Sequence, residues 1–86
     1  MATAKQNFLR YLKRDIIPDT IDSGRKYTAQ DLKKCARLIS AGKKDAKFSR
    51  YLTETLIPDF RESGSTGYVQ DFEECVSYIT PKRKGR

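Results

Sequence analysis

The chain has 86 residues, 34% of them charged and 37% hydrophobic, with a formal charge of +7 and no histidine. That is enough for one small domain with a modest core, too apolar and periodic for a disordered polypeptide, and without the roughly 18 consecutive apolar residues of a membrane span. The lack of histidine removes the commonest general acid–base group and the commonest metal ligand, so a non-enzymatic protein without metal or cofactor is expected.

Met1-Ala2-Thr3-Ala4-Lys5-Gln6 contains no apolar run of signal-peptide length, which points to the cytoplasm, or to the nucleus in a eukaryotic host. From Lys5 to Ile16 the residues Phe8, Leu9, Leu12 and Ile16 recur at intervals of three and four, with Tyr11 at the margin, and this spacing predicts a helix. Ile17 falls off that face, and Pro18 removes a backbone donor and disfavours helical geometry in the residue before it. The helix is therefore predicted to end or kink at Ile16–Ile17, with Pro18-Asp19-Thr20 opening a short turn that a left-handed Gly24 stops. Thr28 and Asp31 have the spacing of a capping box, with Asp in place of Glu or Gln, and predict a second helix running to about Ser40. Its apolar stripe is Ala29, Leu32, Cys35, Ala36 and Ile39.

After the loop Ala41-Gly42-Lys43-Lys44-Asp45 the pattern returns. A third helix, about Asp45–Ile57, carries Phe48, Tyr51, Leu52 and Leu56. A fourth, about Tyr68–Thr80, carries Val69, Phe72, Cys75, Val76 and Ile79 and stops near Pro81. Aligning the chain on itself at an offset of 40 residues matches 13 of the 32 positions between Phe8–Ile39 and Phe48–Ile79, without a gap. The phrase Ile-Pro-Asp, three residues, Ser-Gly occurs at Ile17–Gly24 and again at Ile57–Gly64. A period of this length marks one supersecondary unit per copy, neither able to cover its apolar face alone. The expected fold is all-α: two tandem 40-residue helix-loop-helix repeats, 5–41 and 45–81, packed as a small four-helix bundle with pseudo-twofold symmetry in a single domain 1–86, followed by a basic tail 82–86.

Cys35 and Cys75 occupy the same place in each copy, and each lies in an apolar stripe. Buried small hydrophobes are the simplest reading, since nothing near them has chelating spacing. Two tandem helix-loop-helix units resemble a pair of calcium-binding EF-hands, and Asp19 with Gly24, and Asp59 with Gly64, fit the first and sixth places of such a loop. The other ligand places do not fit: Ile21 and Arg61 stand at the third, Ser23 and Ser63 at the fifth, and Gln30 and Gln70 at the twelfth, where a bidentate Glu is needed. No calcium is expected, and each Asp is read as favouring the positive end of a helix.

Charge is divided along the chain. Residues 1–45 carry 11 Lys/Arg against 5 Asp, and residues 46–81 carry 3 Lys/Arg against 6 Asp/Glu. Arg10, Lys13, Arg14, Lys33, Lys34 and Arg37 lie on the polar sides of the first two helices, Arg25, Lys26, Lys43 and Lys44 in loops, and Lys82, Arg83, Lys84 and Arg86 in the tail. Such a cluster can displace counterions from a phosphate backbone, and nucleic acid or a nucleoprotein is the leading expected partner. Tyr27 could stack on a base or pack on its own helix. At equivalent places Arg14, Lys33 and Lys34 become Glu54, Glu73 and Glu74, and with Asp71 these form an acidic face. The alternative is thus a protein-binding modulator of viral or phage type that docks on a larger partner, or on a second copy of itself, through charge-divided faces.

Overall fold

The structure, a computed structural model, describes residues 3–81, and every regular element among them is helical. The chain divides into two compact units, up to Gly42 and from Lys43 onward. The basic tail lies outside the described residues.

The first unit begins with α1 (Ala4–Tyr11), started by a reciprocal cap in which Thr3 Oγ1 accepts from the Gln6 N–H at 3.1 Å and Gln6 Oε1 accepts from the Thr3 N–H at 3.0 Å. The predicted break at Ile16–Ile17 does not occur. A π-helical turn (Leu12–Ile16) leads without interruption into α2 (Ile17–Asp22), and the three segments make one helical rod. The physical reason is local. In the widened turn the Ile17 N–H reaches back five residues to the Leu12 carbonyl, and Pro18, which has no N–H to give, enters at the first turn of α2. The extra residue also rotates the face that follows. Ile17 becomes buried, Ile16 is only half-buried, and Thr20 is fully buried with its hydroxyl donating to the Ile16 carbonyl at 2.7 Å.

Gly24, at φ 81°, turns the chain, as its place after Ser23 predicts. The Gly24 N–H donates to Ile21 O at 3.0 Å and the Arg25 N–H to Thr20 O at 3.1 Å, the paired bonds of a Schellman cap. Helix α3 (Lys26–Ala41) starts two residues before Thr28, so the expected capping box is not the start of the helix. Arg25 holds the cap position and makes no side-chain capping bond. α3 packs against all three segments of the rod and buries Ala29, Leu32, Cys35, Ala36 and Ile39, the stripe read from the spacing.

The second unit repeats this plan with α4 (Ala46–Tyr51), a π turn (Leu52–Leu56), α5 (Ile57–Glu62) and α6 (Thr66–Ile79). Asp45 caps α4 by accepting from the Phe48 N–H at 2.9 Å. Gly64 has φ 83°, and the Ser65 N–H donates to Phe60 O at 2.9 Å. The core here is more aromatic: Phe60 stacks on Phe72 with ring centroids 5.7 Å apart and meets Tyr68 at 5.3 Å, where the first unit has Thr20, Leu32 and Thr28. The start of α4 is tied to the end of α6 by the Asp45 N–H to Ile79 O at 2.9 Å and by a hydrogen bond between the buried Ser49 hydroxyl and Thr80 Oγ1. Cys35 and Cys75 are both buried, with no exposed surface.

Asp19 and Asp59 lie in the first turns of α2 and α5, so helix occupies the stretch where an EF-hand would place its ligand loop. Among the described residues no three His, Cys, Asp or Glu side chains group to hold a metal ion, and no helix is long and apolar enough to cross a membrane.

Candidate nucleic-acid interface

The rod and α3 leave a shallow groove of about 490 Å³ along one side of the first unit, lined by Lys13, Ile17, Lys33, Ala36, Arg37, Ser40 and Ala41. Its floor exists because of the π turn. Ile17 reaches the rod's inner face only after the extra residue, and the small Ala36 and Ala41 of α3 leave the space open. Three cations rim it, and none of the three is in ion-pair contact with a described carboxylate. Positive charge is thus gathered around a partly apolar hollow, with all three side chains exposed to water.

The basic side chains continue beyond the groove. At 3.6 residues per turn Lys26, Gln30, Lys33, Lys34 and Arg37 fall on the outer side of α3, opposite its buried stripe, and all are exposed. From Lys26 to Arg37 this strip extends about 16 Å. Tyr27, at its N-terminal end, is 80% exposed and does not pack on its own helix.

Other residues expected in the basic face are placed differently. Arg10 and Arg14 line a separate hollow on the rod with Asn7, Tyr11 and Asp15. Arg14 also borders a concavity with Asp15, Asp19 and Asp22, where carboxylates offset its charge. Arg25 is exposed at the turn into α3. Lys43 and Lys44 belong to the second unit, and Lys44 Nζ donates to the Tyr78 carbonyl at 2.8 Å near the end of α6. Lys82, Arg83, Lys84 and Arg86 lie outside the described residues.

The acidic side chains of the second unit are partly engaged within it. Glu73 pairs with Arg61 at 3.0 Å, both exposed. Glu74 accepts from the Tyr78 hydroxyl at 3.4 Å. Desolvation, reinforced by the Glu74 charge and this bond, raises the Tyr78 pKa above its ordinary value. Asp71 is half-buried, and Glu54 is exposed beside a hollow with Ser49, Arg50, Thr53 and Thr80.

The apolar floor of the groove was not read from the sequence as part of a site: Ala36 was placed in the stripe of the second helix and Ile17 off the face of the first. The interval Leu12 to Ile17, five residues and therefore off the helical face, conceals it. A signal was nevertheless present in the pairing of copies. In the 40-residue alignment Lys13, Lys33, Ala36 and Arg37 correspond to Thr53, Glu73, Val76 and Ser77, so one set of positions changes from basic with a small alanine to acidic or neutral with a larger valine. The Ile21–Arg61 substitution belongs with these: Arg61 holds Glu73, whereas Ile21 is 50% exposed.

Comparison with models of known families, with characterised proteins and with solved structures finds no match.

Proposed function

We propose that this is a small, non-enzymatic regulatory protein that binds nucleic acid or a nucleoprotein through the basic face of its first unit. The observation that carries the reading is the convergence of Lys13, Lys33 and Arg37 on one groove without a carboxylate among its lining residues. The reading takes the two units as copies of one duplicated helical hairpin that kept its buried stripe and its Gly-terminated rod while the exposed charges diverged. Such binding is led by the phosphate backbone, because the charge that lines the groove comes from Lys and Arg side chains, which displace counterions whatever the base sequence.

The test is fluorescence anisotropy with labelled duplex DNA, single-stranded DNA and RNA across a range of salt concentrations. Replacing Lys13, Lys33 and Arg37 by Gln is expected to weaken binding and to flatten the dependence of log K on log salt by about 2 for single strands and about 2.7 for duplex, the loss of three phosphate contacts. No binding at low salt refutes the reading.

One observation favours the alternative of a protein-binding modulator. Ile21 exposes apolar surface on the unit that carries the basic groove, a mixture suited to an acidic partner with apolar anchors. A partner bridging both units would be lost on replacing either Lys33 and Lys34 or Glu73 and Glu74, whereas nucleic-acid binding should survive the second change.

A further inference from the structure

Among the described residues Tyr27 is the most exposed of the large apolar side chains, with 80% of its surface in water, at the head of the basic strip on α3. A ring this exposed contributes little to the folded state, and a ligand stacked on it would take its apolar face out of water. Arg25 and Lys26 precede it, and Lys33 and Arg37 follow on the same helix within about 16 Å. At the equivalent place in the second unit the sequence reads Ser65-Thr66-Gly67, with neither ring nor cation, and α6 continues with Glu73 and Glu74. The ring is therefore present in the unit that has the phosphate-binding charge and missing from the one that lacks it.

Resting on the nucleic-acid reading above, we infer that Tyr27 is a stacking platform for an unpaired base and that the first unit prefers single-stranded nucleic acid to duplex. A flat aromatic face beside cations that track a backbone is what an unstacked strand requires, and the contact tolerates any base because every base offers a π face. Duplex bases are already stacked on one another and cannot reach the ring without being flipped out, which costs free energy. The basic strip serves both forms of nucleic acid; the ring adds affinity for one.

The experiment compares native protein with Tyr27→Ala and Tyr27→Phe on a mixed-sequence single-stranded oligonucleotide and its duplex by anisotropy, and adds Tyr27→Trp. Because the chain has no tryptophan, that variant carries a single reporter at the position in question. The expected result is a loss of about 5- to 150-fold in single-strand affinity for Tyr27→Ala, retention within twofold for Tyr27→Phe, and duplex affinity within twofold for both. The Tyr27→Trp emission should be quenched by the single strand and little changed by the duplex. Far-UV circular dichroism checks folding, which an exposed helical position should not disturb. If single strands bind but Tyr27→Ala changes their affinity by less than twofold, or the emission of Tyr27→Trp does not respond to them, the stacking inference is overturned while the basic interface stands. If native protein binds neither form at low salt, both fall together.

Discussion

Replacing Gly24 by alanine isolates the backbone cost of the first turn. Gly24 has φ 81°, and an added Cβ would meet no atom within 4 Å, so the substitution introduces no clash and removes no side-chain contact. What remains is the penalty of holding an L-residue in the left-handed region, about 1 to 2 kcal/mol. Gly64, at φ 83° in equally open surroundings, should cost the same. Gly67 provides the opposite sign: it lies in the first turn of α6 without positive φ and also with open space, so Gly67→Ala should stabilise by about 0.4 to 1 kcal/mol through reduced freedom of the unfolded chain. Urea denaturation followed by far-UV circular dichroism measures all three, and each kcal/mol corresponds to about 4 to 8 °C in melting temperature for a domain of this size. The reasoning fails if Gly24→Ala is neutral, or if Gly67→Ala destabilises as much as the other two.

Three other outcomes are expected. Asp45→Ala removes the acceptor for the Phe48 N–H and should destabilise by about 1 kcal/mol in the same denaturation assay, with Asp45→Asn recovering most of it. Glu73→Gln breaks the Arg61 ion pair, but both partners are more than half exposed, so stability should change by less than about 1 kcal/mol. Tyr78 has a folded-state pKa above that of the unfolded chain, so its contribution is fully present below the unfolded value of 10.0 and is lost as pH rises through the folded one; ultraviolet titration of the native protein against Tyr78→Phe should show this tyrosine ionising late, and Glu74→Gln should bring it down part of the way, since desolvation is the larger cause.

Much of the local structure was legible in the residues, and the failures share a cause. The α3 stripe from Ala29 to Ile39 and the turn at Gly24 were readable because each follows from a rule that acts within a few residues: helical period in the first case, the absence of a Cβ in the second. The rod's continuation through Pro18 was not, because proline is ordinarily a helix stop and the compensating π turn has no side-chain signature. It depends on Ile17 and Thr20 finding a place against α3, which is tertiary information. Thr28 has the spacing of a cap, but the Schellman bonds at Gly24 and Arg25 deliver the chain into helix before Thr28 is reached. The site was half legible: its charges were visible as a list, whereas the selection of Lys13, Lys33 and Arg37 from fourteen candidate cations required the groove.

The π turn also bears on the order in which the chain folds. An isolated peptide covering Ala4–Asp22 would have little reason to carry helix past Ile16, since propagation loses a hydrogen bond at Pro18 and helices of this length are marginal in water. The second half of the rod becomes worthwhile only when Ile17 and Thr20 are covered by α3. Each unit therefore couples the completion of its first helix to the docking of its second, so that loosening α3 from the rod should also weaken α2.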